Sequence, residues 1–123
     1  MTLPSRENEI LLLHNPKCSK SRATLALLEE KGKEFATRLY LEHPLDQGEL
    51  IDLGRRLGKS VLEFTRTKQA EYSEAGLSEN PAESALLDAI VAHPVLMERP
   101  VVIRGERAAI GRPPENVLAL LDD

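Results

Sequence analysis

The chain has no tryptophan, a single cysteine, and only two tyrosines and two phenylalanines in 123 residues. A lone cysteine excludes an intramolecular disulfide and any dithiol pair, and leaves a free thiol suited to a reducing compartment. No apolar run approaches the ~20 residues needed to span a bilayer. The opening MTLPSRENEI lacks the apolar stretch of a secretory leader, so a cytoplasmic location is expected. A net charge of −4 gives no basic excess of the sort a general nucleic-acid binder shows. His14, His43 and His93 are widely spaced and, with one cysteine, give no ligand cluster, so no metal site is expected. The length predicts one domain over 1–123, expected as a monomer, with a polar and flexible 1–9.

What is present reads as alternating elements. Ile10–Leu13 is a continuous apolar run, the mark of a buried strand. Leu25 and Leu28, flanked by Ala23, Ala26 and Leu27, give a helical face that stops at Gly32 with Lys31 in the last turn. EFATRLYLE, residues 34–42, alternates with the period of a strand. Pro44 then breaks the chain. Asp46 and Glu49 form a capping box, Leu45 staples against Leu50, and Leu50, Leu53 and Leu57 carry the stripe to Gly58.

Ser60 with Glu63 predicts a second helix start. Asn80, Pro81 and Glu83 predict a third, with Leu86, Leu87, Ile90 and Val91 as its buried face. RPVVIRGERAAIGRP predicts a hairpin around Gly105, and PPENVLALLDD a closing helix. The order is a βαβ unit, helices, then a ββα unit. It fits an α/β, thioredoxin-like mixed sheet flanked by helices, with its first two strands parallel. Other small α/β sandwiches share the order.

The cysteine lies in HNPKCSKSR, between the first strand and the first helix. Helix N–H groups and the nearby Lys17, Lys20 and Arg22 favour its thiolate, so the Cys18 pKa is predicted to be lowered. A small buried hydrophobe is the bland alternative, and the exposed junction disfavours it. Position 21 is Ser, which removes a C-x-x-C pair. Position 24 is Thr, which removes a C-x5-R phosphatase loop. What survives is a monothiol nucleophile whose resolving thiol comes from another molecule.

HNPKCSKSR also resembles the active-site segment of the glutaredoxin-coupled, ArsC-type arsenate reductases. The resemblance continues through YLEHPLDQGEL, HPVLMERPVVI and GRPPENVL at matching intervals over nearly the whole chain. It implies a thioredoxin-like fold with an inserted helical region. It implies Cys18 as nucleophile, His14 and Ser21 as its supporting motif residues, and Arg66, Arg99 and Arg112 as ligands of the oxyanion. Guanidinium groups suit that task, because each can chelate two oxygens without losing its charge. The implied partners are arsenate, with glutathione as co-substrate and glutaredoxin as the accessory thiol protein, and no bound cofactor. The resemblance to thioredoxin-like folds also implies a cis-proline at the start of the third strand, a position matched by Pro100.

Two other functions share the fold. Spx-type regulators bind RNA polymerase and switch through a C-x-x-C pair, which Ser21 removes. A monothiol, glutathione-dependent disulfide oxidoreductase would use the C-x-x-S segment, yet a neutral disulfide needs no clamp of three arginines.

Overall fold

The computed structural model describes residues 3–4 and 6–121. β1 (Ile10–His14), α1 (Ser19–Glu30) and β2 (Ala36–Leu39) form the βαβ unit. Then come α2 (Gln47–Leu57), a 3-10 turn at Leu62–Phe64, α3 (Ala70–Glu74), α4 (Glu83–Ala92) and a 3-10 turn at Pro94–Leu96. The hairpin β3 (Val101–Arg104) and β4 (Arg107–Ile110) leads through a 3-10 turn at Pro114–Val117 into α5 (Leu118–Leu121). The sheet order is β2-β1-β3-β4, with β1 and β2 parallel and the other two pairs antiparallel.

Alternation along the strands divides the core. Leu13, Val101 and Ile103 face a cluster with Leu50, Leu53, Phe64, Leu86 and Ile90, on the side of α2 and α4. Ile10, Leu12 and Val102 face the opposite cluster, with Leu28 of α1 and Leu120 and Leu121 of α5. β1 and β3 are central and covered on both faces, which is why ILLL and VVI are unbroken apolar runs. Among the described residues no helix is long and apolar enough to cross a membrane.

Several local expectations hold. Asp46 accepts from the Glu49 N–H at 2.7 Å while Glu49 accepts from the Asp46 N–H at 3.1 Å, and Gly58 closes the helix at φ 67°. Others are corrected. Ser60 and Glu63 complete only half a box, with the Ser60 N–H donating to Glu63, and they start a single 3-10 turn. Asn80 caps nothing: α4 begins after Ala82, and Val91 is 37% exposed, off its buried face. α3 was not foreseen, since five residues carry too little periodicity to announce a helix. The buried face of α1 is Ser21, Thr24 and Leu28, and Ala23 and Ala26 are exposed.

Leu3 is buried in the first cluster and the Pro4 carbonyl accepts from Arg56, so the expected flexibility of 1–9 does not extend to them. Met1, Thr2 and Ser5 lie outside the described residues. So do Asp122 and Asp123, at the end of the predicted closing helix.

β2 departs most from its composition. It stops at Leu39; Arg38 within it and Tyr40 just after it are buried, whereas Thr37 and Leu41 are exposed. Arg38 is held by both oxygens of Glu49, at 2.6 and 3.1 Å, and donates to the carbonyls of His43 and Pro44. The buried guanidinium thus fixes the turn that follows Tyr40. Glu49→Ala removes both its partner and half the capping box. The expected loss is about 3–5 kcal/mol of unfolding free energy, read from denaturant titrations.

Candidate active site

β1 ends at His14, and the chain turns at once. The Cys18 N–H donates to the Asn15 carbonyl at 3.0 Å, with Pro16 in the turn. The Asn15 side-chain oxygen accepts from the Lys17 N–H at 3.1 Å. Cys18 is then the N-cap of α1 and keeps extended backbone angles. Most helices place Ser, Thr, Asp or Asn there; this one places a thiol. The first turn holds no acidic residue to neutralise the helix end.

Burial alone pushes the Cys18 thiol up. The backbone N–H groups of Ser21 and Lys20, followed by the charges of Arg99 and Arg112, outweigh it and set the pKa below its ordinary value. The leading charges are therefore two distant arginines, and not the sequence neighbours Lys17, Lys20 and Arg22. Arg22 instead donates to the Pro16 carbonyl at 2.9 Å and bears on His14.

His14 is buried, and its Nδ1 lies 2.6 Å from Ser21 Oγ. The same hydroxyl accepts from the Asn15 N–H at 3.0 Å. Burial and then the charge of Arg22 lower the His14 pKa, so the ring is neutral at neutral pH. The pair ties the end of β1 to the first turn of α1, on either side of the cysteine loop.

Strand register gathers the arginines. In the β3–β4 ladder Val101 faces Ile110, so one step further Pro100 faces Gly111 and Arg99 faces Arg112. The Gly111 N–H donates to the Pro100 carbonyl at 2.8 Å, and Arg112 Nη1 approaches the Arg99 carbonyl at 3.4 Å. Leu13 faces Val101 and His14 faces Leu39, which brings the cysteine loop and Tyr40 to the same end of the sheet.

Arg66 arrives by another route. Thr65 bridges Met97, the Arg66 N–H donates to the Leu96 carbonyl at 2.6 Å, and the Glu98 N–H donates to the Phe64 carbonyl at 2.9 Å. Two chain segments thus run side by side and deliver Arg66 next to Glu98 and Arg99. With the Gln69 amide oriented to suit its neighbours, its oxygen would accept from both terminal nitrogens of Arg66. Burial, then the charge of Arg99, lowers the Arg66 pKa, with Arg112 acting in the same direction and Glu98 opposing.

The bonds Arg99–Pro100 and Arg112–Pro113 are both cis; the second was not expected. A concavity of about 400 Å³, lined by Arg66, Lys68, Gln69, Glu98 and Arg112 among others, opens beside the cluster. A larger one, of about 570 Å³, runs along β2, is lined by Arg38, and includes none of Cys18, Arg66, Arg99 or Arg112. Among the described residues no group of three His, Cys, Asp or Glu side chains could hold a metal ion.

The sequence reading missed Tyr40. The residue is 1% exposed, and its hydroxyl has no hydrogen-bond partner among the described residues, a condition shared by Arg99 Nε. Leaving such a buried group unsatisfied costs about 1–3 kcal/mol. The signal in the sequence was a tyrosine directly after a strand parallel to the one that feeds the cysteine loop.

A family model described as the ArsC family matches residues 13–120. The chain belongs to the ArsC family. It is 48% identical to an arsenate reductase of Neisseria meningitidis over 92% of this chain and 98% of that protein. It is 47% identical to the uncharacterized protein YfgD of Escherichia coli, over 92% and 97%. An arsenate reductase structure from Vibrio cholerae superposes with a TM-score of 0.87 at 41% identity, covering 94% of this chain and 99% of that one. The thioredoxin-like architecture expected from the element order is that of the ArsC structures.

Two outcomes follow from this geometry. Iodoacetamide should modify Cys18 with a pH midpoint below that of free cysteine, and Arg112→Gln should move the midpoint upward, as followed by mass spectrometry. A Cβ at Gly111 would stand 2.7 Å from Thr24 Oγ1 and 2.9 Å from Pro100 Cγ. Gly111→Ala should therefore cost about 1–3 kcal/mol of stability and shift Arg112, read by denaturation and by the same alkylation profile.

Proposed function

We propose that the protein reduces arsenate to arsenite, the activity named for its Neisseria and Vibrio relatives. The observation that carries the reading is a single thiol at a helix N-terminus, with Arg99 and Arg112 acting on it and Arg66 beside them. Repulsion among three clustered guanidiniums is relieved when a multiply charged anion enters. Tetrahedral oxyanions offer the paired oxygens that guanidinium forks fit.

The Cys18 thiolate attacks arsenic, a sulfur–arsenic bond forms, and one arsenate oxygen leaves as water. Fixed positive charge stabilises the charge built up on the remaining oxygens. Glutathione displaces a second oxygen as water. A glutaredoxin thiolate then takes the glutathione sulfur: a mixed disulfide forms, and the electron pair of the broken bond stays on arsenic, reducing it from +5 to +3. Hydrolysis of the remaining sulfur–arsenic bond releases arsenite and returns Cys18 as a thiol.

External thiols fit a chain with no second cysteine, since Cys18 cannot be resolved internally. In this scheme His14 and Ser21 position the loop, tying the end of β1 to the first turn of α1.

The test is arsenite formation from arsenate with glutathione and glutaredoxin, set beside reduction of a low-molecular-weight disulfide by the same preparation. Arsenite formation at background level, or disulfide reduction as the faster reaction, sinks the proposal. Cys18→Ser should abolish arsenite formation with the fold intact by circular dichroism, because a hydroxyl is not ionised at neutral pH.

A further inference from the structure

The described residues leave three buried polar side-chain atoms without a partner: Tyr40 Oη, Arg99 Nε and Arg56 Nε. Arg56 is bound to Asp52, Pro4 and the Gly105 carbonyl, at the hairpin turn, the far end of the sheet from the cysteine. The other two lie together at the cysteine end. Arg99 and then Arg66 are the leading charges on the Tyr40 hydroxyl, ahead of Cys18, with the Asn15 side chain also close.

The hydroxyl therefore sits among the guanidiniums, and that neighbourhood decides what it lacks. Guanidinium groups only donate, so none of them can take the phenolic proton. The nearest neutral acceptor, the Asn15 side-chain oxygen, accepts from the Lys17 N–H at 3.1 Å and lies close to the phenol without meeting it in hydrogen-bond geometry. The Tyr40 phenol is pushed up to about 12 by burial, against the lowering pull of the arginines, and so keeps its proton at neutral pH. It is a buried donor without a hydrogen bond of good geometry among the described residues, at the end of the sheet where Arg99 and Arg66 act on it.

We propose that the Tyr40 hydroxyl donates a hydrogen bond to an oxygen of the tetrahedral anion held by Arg66, Arg99 and Arg112. Tyr40 is then a fourth anion-binding group and the neutral member of the set. It requires an acceptor oxygen at a fixed position, a demand that charge attraction alone does not impose. The inference rests on reading the arginine cluster as an oxyanion site, and it does not require that the anion be reduced.

The probes are arsenate and, as a non-reducible tetrahedral anion, sulfate, titrated calorimetrically into the Cys18→Ser protein with and without Tyr40→Phe. Loss of a hydrogen bond to a charged acceptor should weaken both affinities by about tenfold or more. Removal of an unsatisfied hydroxyl should leave the unfolding midpoint unchanged or raise it. Affinities within twofold of each other overturn the inference, as does failure of the parent to bind either anion.

Should Tyr40→Phe not fold, 3-fluorotyrosine can be introduced at both tyrosines, with Tyr72→Phe to assign the two resonances. The Tyr40 fluorine must then shift on arsenate addition, and an unmoved resonance overturns the inference. Turnover separates the two readings. Tyr40-dependent anion binding without arsenite formation rejects the reductase and keeps the hydroxyl's role. Arsenite formation with unchanged kcat/KM in Tyr40→Phe does the reverse.

Discussion

Three guanidinium groups held near one another, with Glu98 opposing their repulsion on Arg66, are the constraint under which the rest of the fold operates. Like charges at such separations push apart, and a flexible scaffold would let them. Here each is carried by rigid backbone. Arg99 and Arg112 face each other because the β3–β4 ladder continues past its last assigned pair. Arg66 is fixed by a short bridge between segments 64–66 and 96–98. The two apolar clusters on either face of β1 and β3 hold that ladder still.

The same logic explains the placement of the buried Arg38–Glu49 pair. It contributes nothing directly to the anion site. It fixes the carbonyls of His43 and Pro44, and so the path of the chain after Tyr40. Replacing a buried pair with apolar residues is often neutral for stability, so what the pair supplies is a single geometry for this turn. Tyr40 lies directly after that edge strand, so the pair sets where its ring leaves the sheet.

Much of this was legible in the sequence, for identifiable reasons. The hairpin near Gly105 was legible, and its register sets residues six before and seven after it opposite each other; that Arg99 and Arg112 are the ones that matter came only from the family resemblance. Asp46 and Glu49 announced α2 because a capping box is a local device. Asn80 and Ser60 showed the same residue types without the helix start, since nearby prolines and short segments left the tertiary contacts to decide. Arg66 could not be reached by pattern at all. Its neighbour across the bridge is some thirty residues distant, and no periodicity encodes that contact. Tyr40 was hidden for another reason: the alternation of residues 34–42 marks a strand without saying which set is buried, and the buried Arg38–Glu49 pair places Arg38 and Tyr40 on the inner side.

Two kinds of positive field act on Cys18, and they respond differently to an arriving anion. The arginines act through their side-chain charges, and an oxyanion placed among them would offset that charge as seen by the sulfur. Left to them alone, the thiol would regain its proton when a substrate bound, at the moment a nucleophile is needed. The N–H groups of Ser21 and Lys20 belong to the helix backbone and are not displaced by a ligand bound to side chains. They sustain the thiolate while the arginines are occupied. On the proposed reading, a cysteine at the N-cap of α1, and not elsewhere in the loop, would let one small site hold two anions together, the attacking sulfur and the oxyanion it attacks.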